Sequence, residues 1–297
     1  MKKIAFSMTV PSALRAFMAD HVRALSKQYD VTVFCNFSDD DCADLFDGSV
    51  KLVHVPFERK ICPLRDLKCL FLIVSHLRKG GFSCVHSVMP KTGLLAMSAG
   101  WLARVPVRIH MYTGQVWVTR AGVWRTVLKS MDKLIAYFAT DIYADSPSQR
   151  DFLISEKVAK VGSVLGDGSV NGVDCEKFKP DAAARKAVRE QFNIPAGAVA
   201  LGFMGRLNRD KGINDLVEAF TSSHVTQQVH LLLVGPDEED IEEMIRERFP
   251  EVAQQVHFAG YTSDPARSSC LDPNSLFPPA LPGAFMDLRS RLGVAHH

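Results

Sequence analysis

Short apolar runs alternate with longer amphipathic stretches along most of this chain. The runs at 3–8, 31–35, 51–55, 84–87, 107–110 and 142–144 have the length and side-chain types of buried strands. Between them, residues 12–27, 64–79, 92–103, 123–139 and 148–156 read as helices. Pro11, and Pro147 after Ser146, mark two helix starts, since proline's missing N–H costs nothing in a first turn. Strand alternating with helix is the pattern of βαβ units, so residues 1–165 are predicted to form one Rossmann-like domain around a parallel sheet. A Gly- and Asn-rich stretch, 166–172, then punctuates the chain. A helix at 182–192 follows, and residues 166–197 are expected to be the linker and the entry to a second domain. Strands at 199–204, 229–234 and 256–258, with helices at 213–222 and 238–249, predict a second, partial Rossmann-like domain over 198–264. The fold class is α/β with two parallel-sheet domains.

After Asp264 the pattern stops. Residues 265–297 carry Pro273, Pro278, Pro279 and Pro282 with no sustained period, and are expected to be an aberrant, disordered tail. An out-of-frame reading of the gene and a divergent terminus are both open as its origin, the abruptness of the break favouring the first. A parallel sheet left unfinished there is expected to show bare apolar faces.

Composition narrows the classes. A net charge of +2 excludes a dedicated nucleic-acid binder on global grounds. The distribution is uneven: residues 56–130 hold twelve Lys or Arg against Glu58 and Asp66. Such a stretch suits an anionic membrane surface or a pyrophosphate-bearing lipid, or it is the solvated face of several helices. Seven scattered cysteines without a C-x-x-C pair read as reduced thiols of a cytosolic protein, and argue against zinc. The opening Met-Lys-Lys and its apolar run imitate a secretion signal. Ser7 and Thr9 break the run, and a buried first strand is the better account. The apolar stretch 69–74 falls well short of the ~20 residues a spanning helix needs.

The sharpest chemistry lies in LGFMGRLNRDKG, residues 201–212. A strand runs into Gly205, then Arg206, then Lys211 and Gly212 at the mouth of a helix. A strand-to-helix turn in a doubly wound sheet offers backbone N–H groups and a positive helix end to an anion. Adding a guanidinium and an ammonium makes a clamp for a diphosphate, each charge-assisted bond contributing about 1.5–3 kcal/mol. The carboxylates Asp237, Glu238, Glu239 and Asp240, at the acidic start of the 238–249 helix, are expected to cap its positive end.

Upstream of that turn stands VLGDGSVNGVD (164–174) with Phe178 and Pro180; downstream stand LLLVGPDE (231–238) and VHFAGYT (256–262). Taken in order, these segments resemble the retaining glycosyltransferases of family 4, which have the GT-B fold. RIHMYTGQVW (108–117) and ADSPSQR (144–150) are similar to bacterial members that build surface polysaccharides. The resemblance covers residues 2–264 and identifies the chain as a truncated or frameshifted member. The E-G-F-G segment and second glutamate that relatives place against the donor sugar and ribose have no counterpart after Glu251.

The resemblance implies sugar transfer with retention from a nucleotide-diphosphate sugar, expected to be UDP-linked, to a lipid-linked saccharide in O-antigen or capsule assembly. It makes 1–165 the acceptor-side domain and 198–264 the donor-side one. Gly205, Arg206 and Lys211 match the family's donor-diphosphate positions, with the two cations also catalytic and no metal or cofactor required. His110, before Met111-Tyr-Thr-Gly114, corresponds to a family histidine at the acceptor side and is expected to be catalytic with Arg206 and Lys211; a structural histidine is the competing account. Asn171 and Gly172 shape the interdomain turn, and Asp145 and Ser146 form a strand end and helix cap. The loop 9–12 lacks the paired glycines many relatives hold against the donor. Such an enzyme works in the cytoplasm, peripheral to the inner face of the membrane through its basic N-terminal domain. The alternative is an inactive remnant serving as a lipid- or partner-binding module. An NAD-dependent oxidoreductase fits poorly, since no G-x-G-x-x-G follows the first strand. A P-loop kinase is excluded by the absence of G-x-x-x-x-G-K-[ST].

Overall fold

A computed structural model describes residues 1–37, 42, 44–58, 61–172, 174–222, 229–262 and 264–269. The chain divides into two compact units, the first being Met1–Gly172. The turn 166–172 thus completes the first unit instead of opening a linker: Asn171 donates to the Ala16 carbonyl and the His21 ring bonds the Val170 carbonyl.

The first unit begins with β1 (Lys3–Ser7), α1 (Pro11–Ala13), a π turn (Leu14–Met18) and α2 (Ala19–Ser26). It continues through β2 (Asp30–Cys35), β3 (Val50–His54), α3 (Pro63–Gly80), β4 (Cys84–Ser87) and α4 (Pro90–Leu102). It ends with β5 (Val107–Tyr112), α5 (Gly122–Phe138), β6 (Asp141–Ala144), α6 (Pro147–Ser155) and β7 (Ser163–Val164). Proline opens α1, α3, α4 and α6, Ser146 caps α6 by accepting from Gln149 N–H, and Gly81 in the left-handed region ends α3. The strands form one parallel sheet in the order β3-β2-β1-β4-β5-β6-β7. The order reverses between β1 and β4, the place where doubly wound sheets open a crevice at the carboxyl ends of the strands.

Both faces of this sheet are covered. Phe6, Leu14, Met18, Val22, Val31 and Val33 pack under the first helices. Phe34, Ile73, Leu77, Val85, Ala96 and Ile135 pack under α3, α4 and α5. Helix α4 is apolar nearly all round because α3 and α5 flank it, and it lies close to the strands. A Cβ added at Gly93 would strike the His110 ring, and one at Gly100 would meet Val85 Cγ1 at 2.7 Å.

The second unit contains α7 (Ala182–Gln191), β8 (Val199–Met204), α8 (Ile213–Ser222), β9 (Val229–Val234), α9 (Ile241–Arg248), β10 (Val256–Gly260) and α10 (Pro265–Ser269). Its parallel sheet runs β10-β9-β8. Phe203, Ile213, Leu216, Phe220, Leu233 and Ile245 fill the side under α8 and α9. Helix α7, within the stretch expected to be the linker and the entry to the second domain, packs with this unit: Val188 meets Ile194, Ala198, Leu232 and Val234 on the other face. The buried Arg189 donates to the carbonyls of Pro195 and Ala198 and fastens the helix to the strand that follows. Both faces of the three described strands are therefore packed, not bare. Pro265–Ser269, expected to start a structureless tail, is helical and packs on α7 with Ala266 buried. The rest of that tail, 270–297, lies outside the described residues.

Candidate functional site

All three strands of the second sheet run into glycine at their carboxyl ends: Gly205 follows β8, Gly235 follows β9, and Gly260 ends β10. The Gly205 N–H donates to the Val234 carbonyl at 2.9 Å, and the Gly235 N–H donates to the Gly260 carbonyl at 2.8 Å. The backbones approach so closely that a Cβ on Gly235 would collide with the Gly205 carbonyl, which makes glycine obligatory there.

From this edge rise two loops laced to each other. Leu207 N–H donates to the Pro236 carbonyl at 2.9 Å, and Glu238 N–H donates to the Leu207 carbonyl at 3.2 Å. Arg206 therefore emerges from a pinned backbone. Its Nη1 meets the Glu238 carboxylate, 2.9 Å from Oε2 and 3.4 Å from Oε1, with both side chains partly exposed. Asn208 is buried and donates from Nδ2 to Glu238 Oε2 at 2.7 Å. Its Oδ1 accepts the Lys211 N–H at 3.1 Å and so caps the short 3-10 turn Arg209–Lys211. Gly212, at φ 72°, then turns the chain into α8. Among the described residues the Lys211 ammonium has no acidic partner. The structure thus carries Gly205, Arg206 and Lys211 on one turn at the carboxyl edge of β8.

The acidic run divides its labour. Asp237 alone caps α9, accepting from the N–H groups of Ile241 and Glu242 at 3.0 Å each. Asp240 adopts the left-handed region and Glu239 accepts the Arg209 N–H, while Glu238 turns to Arg206 and Asn208. The predicted helix start at 238 moves to Ile241 for this reason. Glu238 and Asn208 were missed as site residues. The available signal was positional: each stands three residues beyond a strand-ending glycine, on adjacent parallel strands.

His110 belongs to the first unit. β5 extends two residues past it, so it lies inside the strand and is fully buried. Its Nδ1 shares a 2.8 Å hydrogen bond with Ser87 Oγ on β4, and its ring stands edge-on to Tyr112, 4.5 Å between centroids. Its Nε2 has no partner among the described residues, nor does the buried Ser7 Oγ. Ser7, Ser87 and His110 are in register across β1, β4 and β5, a polar row within the apolar layer under α4. Burial, with a smaller contribution from His86, pushes the His110 imidazole down to about 3 and keeps it neutral.

Beyond β5 the loop is anchored by Trp117. Its indole N–H donates to Asp132 Oδ2, its ring stacks on Phe152, and Arg125 and Lys129 lie over it at 5.2 Å. Asp145 and Ser146 form the strand end and helix cap expected of them: the Asp145 N–H donates to Gln149 Oε1 and Ser146 Oγ accepts from Gln149 N–H. The outward faces of α3 and α5 are apolar and cationic together. Leu64, Leu67 and Phe71 are exposed on α3, and Val123, Trp124, Leu134 and Tyr137 on α5. The two acids of the basic stretch are engaged, Glu58 with Arg65 and Asp66 with Lys91. No described helix is long and apolar enough to cross a membrane.

Residues 13–162 match the family described as "Glycosyl transferase 4-like domain", and residues 184–277 match "Glycosyl transferases group 1". The capsular polysaccharide biosynthesis glycosyltransferase CapM of Staphylococcus aureus is 31% identical over 222 residues, 74% of this chain and 57% of the relative. The UDP-Gal:alpha-D-GlcNAc-diphosphoundecaprenol alpha-1,3-galactosyltransferase of Escherichia coli is 30% identical over 184 residues, 61% of this chain and 47% of the relative. The chain therefore spans about half the length of the curated relatives it matches. Anabaena Alr3699/HepE, solved with UDP and glucose, superposes with a TM-score of 0.68 at 18% identity, over 90% of this chain and 71% of that one.

Proposed function

Since the chain belongs to the family 4 glycosyltransferases of the GT-B fold, we propose that it transfers a sugar with retention from a UDP-linked donor to a lipid-linked saccharide. The product would be a cell-envelope polysaccharide of the O-antigen or capsule kind. The observation that carries this reading is the turn after β8, which carries Arg206 and Lys211 at a glycine-edged strand end. When a glycosyl–phosphate bond breaks, negative charge accumulates on the departing diphosphate. Cations already in place stabilise it without reorganising at the moment of reaction. Gly205 admits the phosphates close to the backbone. In this reading the two side chains supply the charge compensation, and neither a metal nor a cofactor is required.

On the acceptor side we assign His110, whose buried ring, bonded to Ser87, holds the ends of β4 and β5 beneath the loop that starts at Thr113. The named relatives act on a diphosphoundecaprenol substrate and in capsule biosynthesis. The exposed apolar and cationic faces of α3 and α5 suit peripheral contact with the cytoplasmic leaflet that holds such a lipid. Calorimetric titration of the purified chain with UDP, GDP and UDP-N-acetylglucosamine tests the donor assignment. Heat with a uridine nucleotide whose affinity falls by about tenfold or more in Arg206→Ala and in Lys211→Ala supports it; no heat with any of the three refutes it.

A further inference from the structure

We propose that Glu238, on the loop after β9, is a positioning residue that sets both cations of the β8 turn for the donor diphosphate; this rests on the donor-site reading above. One carboxylate oxygen, Oε2, accepts from Arg206 Nη1 at 2.9 Å and from Asn208 Nδ2 at 2.7 Å. Asn208 in turn accepts the Lys211 N–H at 3.1 Å. The guanidinium is held directly, and the backbone that carries the ammonium is held through a single buried amide. Glu238 is itself fixed, because its N–H bonds the Leu207 carbonyl, between the two donors it receives.

The contact is one-sided. It engages Nη1 and leaves Nη2 and Nε of Arg206 without an acceptor among the described residues. A guanidinium gripped at one nitrogen keeps the rest of its planar fork for an incoming anion. A half-exposed ion pair adds little to stability, so the value of this one lies in geometry. The opposite account makes Glu238 a competitor that neutralises Arg206 and must be displaced by phosphate. The two accounts predict opposite signs when the carboxylate is removed.

The experiment is calorimetric titration of UDP into the whole chain, with thermal melting of each variant to verify folding. Glu238→Ala is expected to weaken UDP binding about tenfold, the size of a typical coupling within one hydrogen-bond network. Glu238→Gln keeps an oxygen that accepts both bonds, and is expected to bind within about threefold of the unaltered chain or more tightly. In an Arg206→Ala background, Glu238→Ala is expected to add less than about threefold, because its effect travels largely through Arg206. Tighter or unchanged binding by Glu238→Ala overturns the proposal, as does a Gln variant as weak as the Ala one. Failure of the unaltered chain to bind UDP, or indifference of binding to Arg206→Ala, overturns the donor-site reading and this inference with it.

Discussion

Trp117 donates its indole N–H to Asp132 Oδ2 across 2.7 Å, with both side chains buried between the β5 loop and α5. Burial pushes the Asp132 carboxyl up to about 6, an effect the Trp117 hydrogen bond opposes. A carboxyl whose folded value lies above its unfolded one binds its proton more tightly in the folded state. Its stabilising contribution is full below the usual carboxylate range and is lost as pH rises toward and past about 6. Asp132→Asn, neutral at every pH and still able to accept from Trp117, is expected to melt higher than the unaltered chain at pH 8. The advantage should shrink on acidification to pH 4, a swing of up to about 3 kcal/mol. A melting difference that stays constant across that window would remove burial of the charge as its cause.

Arg206→Ala and Lys211→Ala are each expected to lower kcat by roughly 10²–10³ in a transfer assay with UDP-sugar, the scale of single charge-stabilising groups. Neither side chain packs in the core, so melting temperatures should barely change. A variant that loses KM alone, with kcat intact, would assign that cation to ground-state binding only.

Gly93 and His110 predict a coupled pair. Gly93→Ala forces a Cβ into the imidazole and is expected to cost about 1–3 kcal/mol of stability. His110→Ala alone leaves a cavity and an unpaired Ser87. Combined, the two should cost less than their sum, because the ring that obstructs the new methyl is gone. Strict additivity in a urea double-mutant cycle would show that α4 relieves the clash by shifting.

The faces of α3 and α5 predict salt-sensitive sedimentation with phosphatidylglycerol vesicles and little with phosphatidylcholine alone. Trp124→Glu, at an exposed site, should weaken that binding without altering the melt. Equal binding to both lipids would discount the lysines and arginines.

The alternation of strand and helix makes both sheets legible in the sequence, because buried parallel strands must be apolar and their crossovers amphipathic. What escaped was set by contacts distant in sequence. β7 is two residues long and exists only through pairing with β6, too short for any period to reveal. Helix α7 is legible as a helix at the entry to the second domain, but the partners of its Val188, Leu232 and Val234, are set only by the folded sheet. In the candidate site, Arg206 and Lys211 were visible because glycine and cations at a strand end have a local meaning. Glu238 was not, since a carboxylate near a helix start reads as a cap until the neighbouring loop supplies Arg206 and Asn208.

Gly93 and Gly100 face the sheet two turns apart on α4, which rests against His110 and Val85 without intervening side chains of its own. A helix seated that closely cannot slide or roll without driving atoms into atoms. β4, β5 and α4 are therefore expected to open as one block, with their amides among the slowest in the first unit to exchange with deuterium. Whatever rearrangement accompanies substrate must then be absorbed by the loops leaving the carboxyl ends of the strands, which would move around a stationary anvil.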